Sequence, residues 1–230
     1  MGPGGDFATE PIAREKGAGH DPRAAHLHAD AGQAGRVPEA ERTGRSEDPG
    51  DKYGKLEGSW TSEFGLLNQF VHLWNYPSLD ERDRLRGELS KNDEWTKGYV
   101  PQIRPMIQAQ ENKILSVQLP FKPPVEPGHV YELRWYRTQV GKAGEWLSHF
   151  KAIMPVREKY STNVGVWQTE AGQLNEVVHM WAYRDLNHRA SVRGQVMQDP
   201  EWQSFLGKAT PLLIEMRSVI LNPAPASPMK

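Results

Sequence analysis

The sequence predicts an α+β fold built from a duplicated unit, and three observations point to it. The chain matches itself at a fixed offset over a long stretch. Within the matched stretches, segments of alternating polarity are interrupted by segments of helical period. The first 50 residues carry almost nothing that could be buried, whereas all eight tryptophans lie beyond Tyr53. A chain of 230 residues has room for one large domain or two smaller ones.

The duplication carries most of this reading. An offset of 107 lays Gly58–Trp95 on Gly165–Trp202 with 16 of 38 positions identical, among them Gly58/Gly165, Trp60/Trp167, Glu63/Glu170, Gly65/Gly172, His72/His179, Trp74/Trp181, Tyr76/Tyr183, Arg82/Arg189, Arg86/Arg193 and Trp95/Trp202. After one deletion the match resumes at Pro105/Pro211 and Ile114/Ile220. A period of that size is a doubled domain and not a short-repeat solenoid.

The second copy reads in order as follows. Val130–Thr138 alternates as a strand, and Lys142–Tyr160 follows as a helix with Trp146, Phe150, Ile153 and Met154 on one side and Pro155 as a kink or early stop. Asn163–Glu170 and Val177–Tyr183 alternate on either side of a turn at Ala171, Gly172 and Gln173. Asp185 is placed to cap a helix that carries Leu186, Arg189 and Arg193 on one stripe. Pro211 breaks that helix, and Leu212–Leu221 supplies a last strand. The order β-α-β-β-α-β is the split, ferredoxin-like arrangement. The first copy starts only at its second strand, near Leu56, with no sign in residues 1–50 of the strand and helix that should precede it. The expected layout is a disordered tail over 1–52, a partial domain over 53–119, a Pro-rich linker over 120–128, a complete domain over 129–222 and a short tail over 223–230.

Composition narrows the function. With 28 basic and 29 acidic side chains, the chain has no field to draw it to nucleic acid or an anionic membrane. The absence of cysteine excludes disulfides, thiolate metal sites and thiol nucleophiles. No apolar run is long enough to span a bilayer. His20, His26 and His28 fall in the polar front segment with no periodic scaffold to fix them, and read as a solvated stretch rather than a metal site. Asp6, Glu10 and Glu15 interrupt the basic face that a mitochondrial presequence needs. There is no phosphate loop, nucleophile elbow or His-Glu-x-x-His motif.

Gly58-Ser-Trp-Thr-Ser-Glu-Phe-Gly, Val71-His-Leu-Trp-Asn-Tyr, Val178-His-Met-Trp-Ala-Tyr-Arg-Asp-Leu and Arg189-x-x-x-Arg193-Gly194 with the later Glu201-Trp202 resemble the NIPSNAP family over about residues 53–228. The resemblance implies tandem dimeric α+β-barrel domains of ferredoxin-like topology. It also implies a mitochondrial setting and roles in protein interaction, vesicle traffic and organelle quality control, with no settled catalytic mechanism. Cytosolic residence is expected instead if the divergent front lacks a targeting signal.

The candidate binding residues are His72, Trp74, Arg82 and Arg86 with their repeats His179, Trp181, Arg189 and Arg193. The His/Trp strand face either packs inside the protein or lines a cavity between sheets, where an imidazole beside an indole could hold a flat ligand or haem. The arginines, one helical turn apart, either hold a phosphate or carboxylate or pair internally with acids such as Glu63, Glu170 or helix neighbours. No catalytic constellation is readable. The leading expectation is an interaction and assembly module whose incomplete first copy leaves a sheet edge open for a protein partner or a second copy. The competing one is a small-molecule or haem enzyme of the monooxygenase-like barrel type.

Overall fold

The computed structural model describes residues 24–32, as a backbone strand, and 51–229. Eight antiparallel strands close into one barrel in the order β1-β3-β2-β8-β5-β7-β6-β4. They are β1 Ala24–Gly32, β2 Lys55–Phe64, β3 Gln69–Tyr76, β4 Ile107–Leu119, β5 Val130–Thr138, β6 Thr162–Ala171, β7 Glu176–Tyr183 and β8 Leu213–Pro223. The helices are α1 Leu79–Leu89, α2 Val100–Ile103 (preceded by a π-helical turn, Glu94–Tyr99), α3 Ala143–Arg157, α4 Leu186–Val196 and α5 Pro200–Ala209. None of them is long and apolar enough to cross a membrane, among the described residues.

The two repeats occupy equivalent halves of the barrel. β5 lies between β7 and β8, as β1 lies between β3 and β4. The halves meet at two seams, β2 with β8 and β4 with β6. The repeated Glu63 and Glu170, named above as possible partners of the arginines, tie these seams instead. Asn222 Nδ2 donates to Glu63 at 3.0 Å, and Ser116 Oγ donates to Glu170 at 2.5 Å.

β1 stands where the sequence left an edge open, and it corrects the reading that residues 1–50 hold no strand. The segment offers only Leu27 as a sizeable apolar side chain, so composition hides it. What a strand between two open ladders requires is backbone partners, and β3 and β4 supply them on both sides. The other residues assigned to the tail, 1–23 and 33–50, lie outside the described residues. The chain from Gly32 to Lys55 is nearly as long as the chain from Thr138 to Thr162, which contains α3.

Alternation sorts the strand side chains into two cores. Trp60, Val71, Leu73, Leu115, Tyr131, Leu133, Trp167, Val178, Met180, Val219 and Leu221 fill the barrel. The C-terminal segment closes over this core. Met229 is buried in it, and Ser227 Oγ accepts the Ser59 backbone N–H at 3.0 Å. The second core lies outside the barrel, where α3 and α5 cover Val166, Val177, Trp181 and Tyr183. α3 was expected to run to Tyr160 but ends at Arg157, and it retains Pro155 within its last turn.

Local chemistry repeats with the sequence. Asn68 and Asn175 adopt φ of 59° and 56° in equivalent hairpins, a conformation asparagine tolerates. Ser78 and Asp185 cap α1 and α4 by accepting the Glu81 and His188 backbone N–H groups. The helix expected to run up to Pro211 is two helices, because Asp199 starts a new one by accepting from the Glu201 and Trp202 backbone N–H groups, with Pro200 in its first turn.

Candidate functional site

The His/Trp pairs behave as a repeated device. Trp181 Nε1 donates to His179 Nδ1 at 2.7 Å, and Trp74 Nε1 donates to His72 Nδ1 at the same distance. The accepting Nδ1 carries no proton, so the neutral ring is held in its Nε2–H form. The face they occupy is the outer one, beneath the helices, and not the barrel interior. This corrects the idea that the pairs line a cavity between sheets. Strand register decides the matter: Val178 and Met180 fill the barrel, so His179 and Trp181 must point the other way.

In the second repeat this face is sealed. His179 is buried against Tyr136, Trp146 and Phe150, with ring centroids at 4.7, 6.1 and 5.0 Å. Burial drives its pKa well below the ordinary histidine value, and the charges of Arg134, Arg157 and Arg193 push the same way. An imidazole whose Nδ1 is engaged and whose other edge faces packed rings has no open position for an iron, so His179 does not fit as a haem ligand. No group of three or more metal-ligating side chains exists among the described residues, and the side chains of His20, His26 and His28 lie outside them.

Around Trp181 the second repeat assembles a charge cluster. Arg157 lies 4.2 Å from the Trp181 ring centroid and donates to Tyr183 Oη at 3.3 Å and Ser161 Oγ at 2.6 Å. Glu132 on β5, 0% exposed, accepts from Arg189 Nε at 3.0 Å and Nη2 at 2.7 Å and from Arg134 Nη1 at 3.0 Å, with Arg193 Nη1 at 4.0 Å. Burial works to raise the Glu132 pKa, but the Arg189 hydrogen bonds and the Arg134, Arg189 and Arg193 charges together bring it below the ordinary value. Arg189 and Arg193 therefore pair internally, as one reading allowed, but with Glu132 rather than Glu63, Glu170 or a helix neighbour. Glu132 went unnoticed in the sequence. A glutamate at that strand position, sharing a face with Arg134, was the available signal.

The first repeat keeps the arginines with different partners among the described residues. Arg82 Nη1 pairs with the adjacent, exposed Asp83 at 2.7 Å, and Arg86 approaches Tyr76. Among the described residues no carboxylate from another element meets either guanidinium. By register the counterpart of Glu132 is His26, which pairs with Trp74 and Ile114 as Glu132 pairs with Trp181 and Ile220. Phe70, His72 and Trp74 are half-buried, whereas the second-repeat face is buried throughout β7. The π-helical turn and α2, counterparts of α5, bury no side chain, whereas α5 buries Phe205 and Ala209.

A single family model, NIPSNAP, matches the chain twice, over residues 33–121 and 131–228. A NipSnap homolog of Dictyostelium discoideum is 31% identical over 173 residues, covering 72% of this chain and 74% of that protein. NipSnap homolog 2 of Mus musculus is 29% identical over 180 residues, covering 76% of this chain and 63% of that protein, so the match spans less than two thirds of that relative's length. The solved structure of an anthrone oxidase-like protein superposes with a TM-score of 0.58 at 11% identity, covering 87% of this chain and 91% of that one. At that identity the likeness is one of fold.

Proposed function

This chain belongs to the NIPSNAP family, and from that premise we propose that it is a protein-interaction and assembly module whose contact surface is the outer face of the first repeat's sheet. Its architecture is then two ferredoxin-like units in tandem, the fused form of a dimeric α+β barrel. The observation that carries the reading is the inequality of the two repeats among the described residues: the same strand face is buried under α3 in one and only half-buried, at Phe70 and Trp74, in the other. A packed barrel interior and the enclosure of His179 favour binding over catalysis. A mitochondrial setting, with roles in organelle quality control or vesicle traffic, belongs to the same proposal.

The test compares the full chain with a Phe70→Glu/Trp74→Ser variant, which keeps the barrel residues. Crosslinking in cells should recover fewer associated proteins, or fewer copies of the chain itself, with the variant. An unchanged crosslinking pattern in a variant of equal thermal stability refutes the surface. Subcellular fractionation of the chain with a C-terminal epitope tests the location, and a wholly cytosolic distribution refutes it.

A further inference from the structure

We infer that the corner of the barrel where the β2–β3 hairpin meets β8 inserts into the surface of a lipid bilayer, with Phe64, Leu66, Leu67, Ile214 and Met216 entering the apolar layer. This corner shares no residue with the face proposed above. All five side chains are exposed, Leu66 at 73% and Leu67 at 65%. They lie on two neighbouring elements. Phe64 ends β2 opposite Ile220, and Leu66 and Leu67 form the turn to β3. Ile214 and Met216 lie on the part of β8 that runs on past that pairing, with β5 as its ladder partner.

The duplication supplies an internal control. The other seam sets the β6–β7 hairpin beside β4 in the same way, with Ala171 opposite Ile114 as Phe64 is opposite Ile220. The two turns share their backbone: Gly65 and Gly172 have φ of 113° and 111°, and Asn68 and Asn175 of 59° and 56°. Their side chains differ, and always in one direction. Phe64, Leu66, Ile214 and Met216 stand where the second corner has Ala171, Gln173, Gln108 and Gln110, while Leu67 matches Leu174. The same turn and strand therefore form from small or polar side chains. Packing does not explain the apolar set either, because its members are exposed. Exposed apolar area gathered at one place marks a contact surface.

Shape and polarity select a bilayer as the occupant. The tip of a tight hairpin is convex, and lipid yields around a projecting apex where a folded partner has to offer a matching groove. The hairpin also closes part of its own backbone, since Ser62 Oγ accepts the Gln69 N–H at 3.0 Å. Arg217, paired with Glu215 and 71% exposed, lies next to Met216 in β8 and is long enough to hold its guanidinium among the headgroups while its neighbour inserts. With a net charge of −1 the chain is not drawn by the membrane field, so the attraction is the burial of apolar surface.

The chain has no cysteine, so a single introduced thiol can be labelled cleanly. Leu67→Cys and, separately, Leu174→Cys are labelled in the full chain with an environment-sensitive nitrobenzoxadiazole dye and mixed with phosphatidylcholine vesicles. Emission from position 67 should move to shorter wavelength and brighten, and emission from position 174 should not. In vesicle flotation, Phe64→Ala/Leu66→Gln, which copies the second turn onto the first, should lower the partition coefficient about tenfold or more. Partition of the unsubstituted chain should be the same at about 0.05 M and about 0.5 M salt. Absence of vesicle binding, equal responses at positions 67 and 174, or an unchanged partition in the hairpin variant overturns the insertion. A partition that falls steeply with salt overturns its apolar basis. Self-association that the hairpin variant loses, in a chain that ignores vesicles, assigns the corner to a second copy instead.

Discussion

Replacing Glu132 by glutamine tests the internal comparison between the repeats. The side chain keeps its shape but loses its charge, and Arg189 and Arg134 keep theirs. Breaking a buried ion pair from one side costs about 3–5 kcal/mol where the remaining charge stays buried. Arg189 is about a quarter exposed and can turn partly to water, while Arg134 is more enclosed, so a loss of about 2–4 kcal/mol is expected. For a chain of this size that lowers the thermal midpoint by roughly 4–16 °C. The assay is urea or thermal unfolding followed by circular dichroism. The pH dependence gives a second readout. The folded-state pKa of Glu132 lies below its unfolded value, so its contribution is complete above the unfolded pKa and is lost as pH falls through the folded one. The difference between wild type and variant should therefore shrink on acidification below about pH 4. A loss under about 1 kcal/mol near neutrality, or a difference that does not change with acid, would refute the claim that Glu132 anchors the α4 arginines.

Other expectations follow from neighbouring features. Arg82→Ala should change stability by no more than about 0.5 kcal/mol, whereas Arg189→Ala should cost clearly more, because among the described residues the second has a buried carboxylate partner to lose and the first an exposed one; the same unfolding assay compares them. Gly165→Ala should cost about 1–3 kcal/mol, because the new methyl would enter the Trp167 ring at about 2.5 Å, and Gly58→Ala should do the same against Trp60. His179, with a folded pKa below its unfolded value, binds its proton only on unfolding, so stability should fall as pH drops below about 6.5 by at most about 1.4 kcal/mol per unit. His179→Gln should remove that component of the slope, read from urea midpoints at a series of pH values. Asp199→Ala should cost about 0.5–2 kcal/mol through loss of the α5 cap, measured by thermal unfolding.

Much of the fold could be read from the chain because the duplication doubles each signal. A turn with Gly65 and Asn68 is more convincing when Gly172 and Asn175 repeat it, and both asparagines do take the left-handed conformation. Alternation likewise placed Val178 and Met180 opposite His179 and Trp181. Which of those faces lay inside was not legible, because each row is apolar enough to be buried and the helices and the barrel compete for them. β1 was hidden for a different reason: its place depends on backbone ladders from β3 and β4, and no hydrophobicity pattern records that demand. The arginine stripe was visible, but its partner was not. Glu132 lies 57 residues from Arg189, on a strand whose alternation makes a charged outer residue look ordinary. The break at Asp199-Pro200 was present in the sequence as a capping residue before a proline, and the uninterrupted helix drawn through it ignored that punctuation.

The two seams have a consequence beyond holding the barrel shut. Were the halves separate identical molecules joined by a twofold axis, both junctions would be forced to use the same residues, and any change would strike both at once. Here one junction sets Trp60 against Pro223 and the other sets Val117 against Trp167. Covalent linkage also replaces a concentration-dependent encounter with an intramolecular one. One half can then specialise for packing while its sister drifts toward recognition, with no penalty imposed by symmetry on either.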